Sequence, residues 1–156
     1  MTRAHPAHGH GESQGAEHPH LRKELVLQLQ AARVAERDQA LFYRALAGEA
    51  ERLGERDLSE RLNGLHADEQ HHVSRLSARL LELGEALEEL PPPSMPEVAL
   101  EEWEPLARER EQVELDRYHG LLSHGGLDEQ TRHMLTEFHA AERHHRDALG
   151  GKWMGA

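Results

Sequence analysis

The sequence predicts an all-α protein of four helices, paired as two antiparallel hairpins. Residues from about 22 to 150 are dominated by Leu, Ala, Glu, Arg and Gln, which are good helix formers. β-branched residues are few, and no stretch alternates apolar and polar residues over the length of a strand. Segments that contain Gly or Pro interrupt the helical stretches, and these interruptions determine the number of helices.

The first hairpin consists of a helix over about Leu21–Arg52 and a second helix that runs to Leu83. Gly54 marks the break between them, and Gly84 follows the second helix. Asp57 is suited to cap the start of the second helix. Because the connection has only a few residues, the two helices are predicted to be antiparallel.

The second hairpin follows a Pro-rich segment. Its first helix ends near Ser123, and its start is open because Pro96 and Pro105 each suit a first helical turn. Asp128 is suited to cap the last helix, which ends near Leu149. A short connection again predicts an antiparallel pair.

The connection between the hairpins, from Gly84 to about Pro96, is long enough to cross the whole bundle. At about 3.1 Å per residue in polyproline II geometry, its thirteen residues reach about 40 Å. A helix of about 27 residues has the same length at about 1.5 Å per residue. The second and third helices are therefore predicted to be parallel, as in a ferritin-like four-helix bundle with one crossover.

The ends of the chain differ from the predicted bundle over 22–150. Residues 1–21 contain no apolar run, so they are predicted to be a disordered tail, and 151–156 form a C-terminal tail. The N-terminal histidines are suited either to capture transition metals or to lie in solvent. They are His5, His8, His10, His18 and His20.

Composition argues against several classes of partner and chemistry. The net charge of -11 argues against nucleic acid and anionic membranes as partners. No apolar stretch approaches the ~20 residues of a membrane-spanning helix, and no hydrophobic segment of a secretory signal follows Arg3. Cysteine is absent, which excludes disulfides, thiol catalysis and Cys-bound metals. A cytoplasmic location is the default expectation.

A Glu-x-His-His sequence occurs twice, at Glu69–His72 and Glu142–His145. Glu and His three residues apart share a helix face and can reach one metal ion. The motif alone is weak, because a chain this rich in Glu and His supplies roughly two copies of Glu-x-x-His by chance. Each copy, however, lies in an apolar stripe, beside Leu65 and Leu76 in one case and Phe138 in the other. If either helix were rotated, the same groups would lie in solvent.

The first helix of each hairpin supplies a matching acid. Aligning Glu36 with Glu111 also aligns the only two tyrosines, Tyr43 and Tyr118, each seven residues further on. The chain therefore contains an internal repeat of two hairpins with a period of 73–75 residues. If the third helix is rotated, Glu109 takes the place of Glu111.

Four helices that face the core then contribute one Glu each, and two of them add a His. This is the constellation of di-iron and di-manganese carboxylate proteins in four-helix bundles. Hard oxygen ligands with some nitrogen suit iron or manganese. The predicted metal ligands are Glu36, Glu69, His72, Glu111, Glu142 and His145. Two iron ions are expected, with manganese or a mixed pair as alternatives, while His71 and His144 point about 100° away from the ligand face.

The sequence resembles the erythrin domain of rubrerythrins, in the ferritin-like superfamily. The resemblance covers about residues 24–150 and is carried by AERDQALFY, DEQHH, REQVELDRY and AERHH. It implies that Glu114 is a further metal ligand, which exchanges with His72 as the iron changes redox state. Rubrerythrins typically reduce peroxide at the di-iron site, and some oxidise Fe(II). Many also carry a rubredoxin-like module that holds iron with four cysteines, which a chain without cysteine lacks.

The expected function is a di-iron oxidoreductase that reduces hydrogen peroxide or O2 with electrons from Fe(II) or an external donor protein. Glu36 and Glu142 are expected to be terminal ligands, and Glu69 and Glu111 to bridge. The expected catalytic residues are Glu114, Tyr43 and Tyr118. The tyrosines either orient the Glu ligands or peroxide, or pack in the core with their hydroxyls bonded to carboxylates.

Two alternatives remain open at the level of sequence. One is a non-catalytic protein of the ferritin-like class that binds or stores metal, and the other is a metal-free helical interaction protein. A homodimer or larger oligomer is expected for the di-iron oxidoreductase.

Overall fold

The computed structural model describes residues 18–151, which form four α-helices and no strand. The helices are α1 (His18–Arg52), α2 (Arg56–Glu82), α3 (Trp103–Leu122) and α4 (Glu129–Ala148). A short 3-10 helix, Leu100–Glu102, leads into α3. None of the described helices is long and apolar enough to cross a membrane. The predicted all-α fold class is confirmed.

The first helix begins at His18, three residues before its predicted start. His18 and His20 are therefore helical, although the sequence analysis placed them in the N-terminal tail. The remaining tail histidines, His5, His8 and His10, lie outside the described residues, as does the predicted C-terminal tail beyond residue 151.

The two predicted helix caps have different outcomes. Asp128 caps α4 as predicted, because its side chain accepts a hydrogen bond from the backbone N–H of Thr131 at 2.9 Å. The predicted cap at Asp57 is wrong, because α2 begins at Arg56 and Asp57 lies inside its first turn. Gly54, with φ of 76°, reverses the chain within a few residues, so the helix resumes before Asp57 is reached.

The start of α3 is Trp103, so Pro105 lies in the first helical turn. A proline at this place costs no helical hydrogen bond, because the first N–H groups of a helix have no partner within the helix. Trp103 is 1% exposed and belongs to one apolar cluster with Phe42 and Leu46 of α1. This packing fixes the point at which the chain re-enters the bundle.

The connection between α2 and α3 runs along α1. Side chains of α1 donate hydrogen bonds to backbone carbonyls of this connection. Residues further along α1 bond to residues further along the connection, so the two segments run in the same direction. The pairs are Gln30 with Ala86 at 3.0 Å, Arg33 with Glu88 at 2.9 Å and Arg37 with Pro91. The connection therefore travels from one end of the bundle to the other, and the predicted single-crossover arrangement of two hairpins is confirmed.

Two apolar clusters occupy the two ends of the bundle. One includes Leu29, Leu76 and Phe138, and the other includes Leu62 and Trp103. On every helix, buried Glu residues, with a His on α2 and α4, lie between the positions that belong to these clusters. The fold therefore places a polar layer in the middle of an apolar core, where unpaired charge is costly.

Candidate metal centre

Six side chains from all four helices meet in the polar layer, and each is at most 5% exposed. Their ligand atoms form two groups, and within each group the atoms lie within 4.8 Å of one another. The group that we call the His72 position consists of Glu36, Glu69, His72 and Glu142. The group that we call the His145 position consists of Glu69, Glu111, Glu142 and His145. The structure thus brings together six of the seven predicted metal ligands.

Glu69 and Glu142 belong to both groups, so these carboxylates would be the ones shared by two ions. The expectation that Glu111 bridges and Glu142 is terminal differs from this arrangement. In Glu69 and in Glu142, both carboxylate oxygens lack a hydrogen-bond partner within residues 18–151. In Glu36 and in Glu111, only one of the two oxygens lacks a partner there. The number of free oxygens thus matches a bridging role for Glu69 and Glu142 and a terminal role for Glu36 and Glu111.

Each tyrosine anchors the glutamate of the opposite hairpin. Tyr43 donates a hydrogen bond to Oε1 of Glu111 at 2.5 Å, and Tyr118 donates one to Oε1 of Glu36. Burial and the nearby carboxylates raise the pKa of both phenols well above their ordinary value, so both hydroxyls keep their proton and act as donors. The predicted role of these tyrosines toward peroxide stays a prediction.

The atoms that face one another in the two groups form close contacts without hydrogen bonds. Nδ1 of His72 lies 2.9 Å from Oε1 of Glu142, and Nδ1 of His145 lies 3.1 Å from Oε1 of Glu69. Despite these distances, none of the four atoms has a hydrogen-bond partner among the described residues. Buried polar atoms left unpaired are costly, and converging lone pairs are suited to a shared cation. The donor set of four carboxylates and two imidazoles fits iron or manganese.

Protons balance the charge of this layer as long as no cation is bound. Burial, followed by the charge of Glu36, raises the pKa of both Glu69 and Glu142 well above the ordinary range. Burial alone would lower the pKa of His72, but Glu142 and Glu36 outweigh it and raise the pKa to about 10. A cation would supply the positive charge that these protons supply, so metal binding is expected to release protons.

No protein-family model matches the sequence, and no curated protein matches it significantly. Among solved structures, the chain is similar to a bacterioferritin of Rhodobacter capsulatus that has a metal-free dinuclear site and haem iron in a crystallographic special position. The TM-score is 0.71 at 20% sequence identity, and the match covers 81% of each chain. The fold is ferritin-like. A likeness at this identity shows the fold alone, and the resemblance to rubrerythrins in particular stays a prediction.

Glu114 lies beside the centre of the ferritin-like bundle but belongs to neither ligand group. It is 6% exposed, and its Oε2 has no hydrogen-bond partner within the described chain, although Nε of Arg117 lies 3.4 Å from it. Burial, followed by the charge of Glu36, raises the pKa of Glu114 to about 7. Glu114 thus lies one helical turn from Glu111, beside the centre, and its exchange with His72 stays a prediction.

Three residues that the sequence analysis did not single out contact the ligands or support a residue that does. Nε2 of His145 lies 2.9 Å from Oδ2 of Asp68. Gln39 donates to Oε1 of Glu111 at 3.3 Å, and Nε of Arg110 donates to Oε1 of Gln39 at 2.7 Å. Gln39 lies three residues after a predicted ligand, and this spacing is a usable signal. Asp68 gives no such signal, because it is adjacent to its predicted ligand and points about 100° away.

The residues that the sequence offered as alternative ligands lie outside the centre. Glu109 is exposed, whereas Glu111 is fully buried. His71 and His144 are also exposed, and neither belongs to a ligand group. The rotation of α2, α3 or α4 that would expose the repeated Glu and His residues therefore does not occur.

Proposed function

We propose that this chain is an iron-binding protein of the ferritin-like class that takes up two Fe(II) ions in the centre and oxidises them. The observation that carries the proposal is the pair of ligand groups that share Glu69 and Glu142. The likeness of the fold to that of a bacterioferritin favours iron uptake, oxidation and storage over peroxide reduction as the primary activity.

The residues of the chain explain why this cargo fits. Four carboxylates offset the positive charge of two divalent ions, and each histidine offers one nitrogen. Tyr118 and Tyr43 hold the terminal carboxylates of Glu36 and Glu111, so these ligands are already oriented in the folded chain. Oxidation removes one electron from each Fe(II), with O2 or hydrogen peroxide as the acceptor, and the carboxylates favour the more highly charged product.

Anaerobic loading with Fe(II), followed by metal analysis, tests the proposal. Wild type is expected to retain two ions per chain, and a pulse of O2 should convert them to Fe(III). Glu69→Ala removes a ligand from both groups and is expected to lose both ions. Glu109→Ala, which removes an exposed glutamate of α3, is the matched control and should retain two.

Two outcomes of this experiment would contradict the proposal. One is a wild-type protein that retains no iron. The other is Glu69→Ala protein that still retains two ions, because the shared carboxylate would then have no role in binding.

Reduction of hydrogen peroxide is a second candidate, and the position of Glu114 favours it. This buried carboxylate lies beside the ligand groups without belonging to either, so it is available as an additional ligand. Reduction of one peroxide to two waters consumes two protons and the electrons of two Fe(II). Because the chain has no cysteine, the electrons for further cycles must come from an external donor protein or small reductant.

Turnover separates the two candidates. If the protein is a peroxidase, repeated peroxide pulses in the presence of a reductant consume many equivalents of peroxide and of reductant per chain. A single stoichiometric oxidation, unaffected by Glu114→Gln, indicates iron oxidation and storage instead.

A further inference from the structure

The two metal positions have equivalent ligands in the repeat but different supporting contacts. Each consists of the two shared glutamates, one terminal glutamate and one histidine. The contacts behind the histidines and behind the terminal glutamates can therefore be compared directly.

His145 is held from behind by a carboxylate. Its Nδ1 faces the ligand oxygens, with Oε1 of Glu69 at 3.1 Å, while its Nε2 lies 2.9 Å from Oδ2 of Asp68. A carboxylate accepts hydrogen bonds, so when the ring is neutral, as a metal ligand must be, its proton lies on Nε2 and its lone pair on Nδ1. Asp68 itself has 57% of its side chain exposed, so it keeps most of its hydration while it holds the ring.

His72 lacks this support. Its Nδ1 faces Glu142 at 2.9 Å, but no carboxylate oxygen of residues 18–151 lies within ion-pair distance of its Nε2. The residue that corresponds to Asp68 in the repeat is Ala141. The ring of His72 instead packs on Phe138, with 4.2 Å between the ring centroids. An apolar ring contact restricts the position of the imidazole but leaves the choice of tautomer open.

The terminal glutamates show the same difference. Oε1 of Glu111 accepts from Tyr43 at 2.5 Å and from Gln39 at 3.3 Å, and Gln39 is itself held by Arg110. Within the described chain, Glu36 has a single hydrogen bond of this kind, from Tyr118. Both ligands that belong only to the His145 position are therefore oriented before a metal arrives.

We infer that Asp68 is a positioning residue that makes the His145 position the tighter of the two, so that this position fills first. The inference rests on the proposed dinuclear site. A ligand that is already oriented loses less conformational freedom on binding, and a hydrogen bond from its second nitrogen raises its basicity. Loss of such a partner typically weakens metal affinity 10- to 100-fold.

Anaerobic titration with Co(II) alone, followed by calorimetry and by visible absorption, measures both positions. Wild type is expected to bind two ions in two steps of unequal affinity. Asp68→Ala should weaken the tighter step about 10- to 100-fold and leave the total at two ions. Asp68→Asn keeps an oxygen that accepts from Nε2, so it should restore part of the loss.

Asp57→Ala is the matched control, because it removes an exposed aspartate from the same helix. Its titration should superimpose on that of wild type, and thermal unfolding of the metal-free variants should show that Asp68→Ala folds normally. Two equal steps in wild type, or an Asp68→Ala titration identical to wild type, overturn the inference and leave the dinuclear site intact. Absence of any binding by wild type overturns the dinuclear site together with the inference.

Discussion

The two hairpins supply equivalent ligands but surround them with different neighbours. In α1, Gln39 follows the ligand by three residues and is held by Arg110, whereas the matching residue of α3 is Glu114, whose Oε2 is unpaired within the part of the chain described. Asp68 precedes the ligand of α2, whereas Ala141 precedes that of α4. The first hairpin thus makes more hydrogen-bonding contacts to the ligands of the second hairpin than the second makes to the ligands of the first.

This difference teaches that a repeat of candidate ligands does not by itself produce two groups with equal supporting contacts. The carboxylates and imidazoles set what can be bound, and their neighbours set how firmly each ligand is oriented. Four predictions break or sharpen the comparison.

The largest effect is expected where a residue serves both positions. Glu142→Gln keeps the volume of the side chain but removes a charged ligand from both groups, so metal binding should fall from two ions toward none. Glu36→Gln affects only the His72 position, so one ion should remain. Metal analysis after anaerobic Fe(II) loading measures both. If Glu36→Gln lost both ions and Glu142→Gln only one, the assignment of shared and terminal ligands would be reversed.

The anchoring tyrosines should differ in their contribution to stability. A hydrogen bond to a charged group contributes about 1.5–3 kcal/mol. Tyr118→Phe removes the only one that Glu36 receives from a tyrosine or amide of residues 18–151. Tyr43→Phe should cost less, because Gln39 still donates to Glu111. Urea unfolding of the metal-free variants gives the two free energies. Equal losses would show that Gln39 contributes nothing to the orientation of Glu111.

Adding the missing carboxylate should make the two metal positions more alike. Ala141→Asp places an aspartate at the position of the second hairpin that corresponds to Asp68 of the first. The weaker Co(II) step is expected to tighten by up to about tenfold, at the low end of the effect of such partners. Calorimetry compares the two steps, and Ala78→Asp, an exposed site on α2, controls for added charge. An unchanged weaker step would mean that the repeat does not extend to this neighbour.

The smallest effect concerns the caps, where the hairpins also differ. Asp128→Ala should cost about 1 kcal/mol, because it removes the cap of α4, whereas Asp57→Ala should cost less. Burial would raise the pKa of Asp128, but its bonds to Thr131 and the charge of Arg79 outweigh burial and lower the pKa below the ordinary 3.8.

The lowered pKa of Asp128 fixes the sign of a pH dependence. The stability that ionised Asp128 contributes is present above its unfolded-state pKa of 3.8, and it is lost as the pH falls through the lower, folded-state pKa. The cost of Asp128→Ala in denaturant unfolding should therefore be full at neutral pH and shrink below about pH 4. A cost that is independent of pH would mean that the charge of Asp128 contributes nothing to the cap.

The sequence by itself determined the number and pairing of the helices, the polar layer and six of the residues that meet there. These features are local, because the helical period fixes which residues share a face. A spacing of three residues on one helix places Glu69 and His72 on one face, and likewise Glu142 and His145. The matched pairs Glu36/Tyr43 and Glu111/Tyr118 predicted one further acid opposite each of these faces. The reach of the crossover could also be predicted from the sequence, because it depends only on the number of residues.

Tertiary structure alone decided how the residues of different helices divide between the two positions. Three features involve contacts between different helices. Tyr43 and Tyr118 each bond to a glutamate of the opposite hairpin, Glu142 belongs to both ligand groups, and Asp68 contacts His145. Each depends on the rotation and axial offset of one helix against the next. Side-chain packing sets those two quantities, and the spacing of residues within one helix does not contain them.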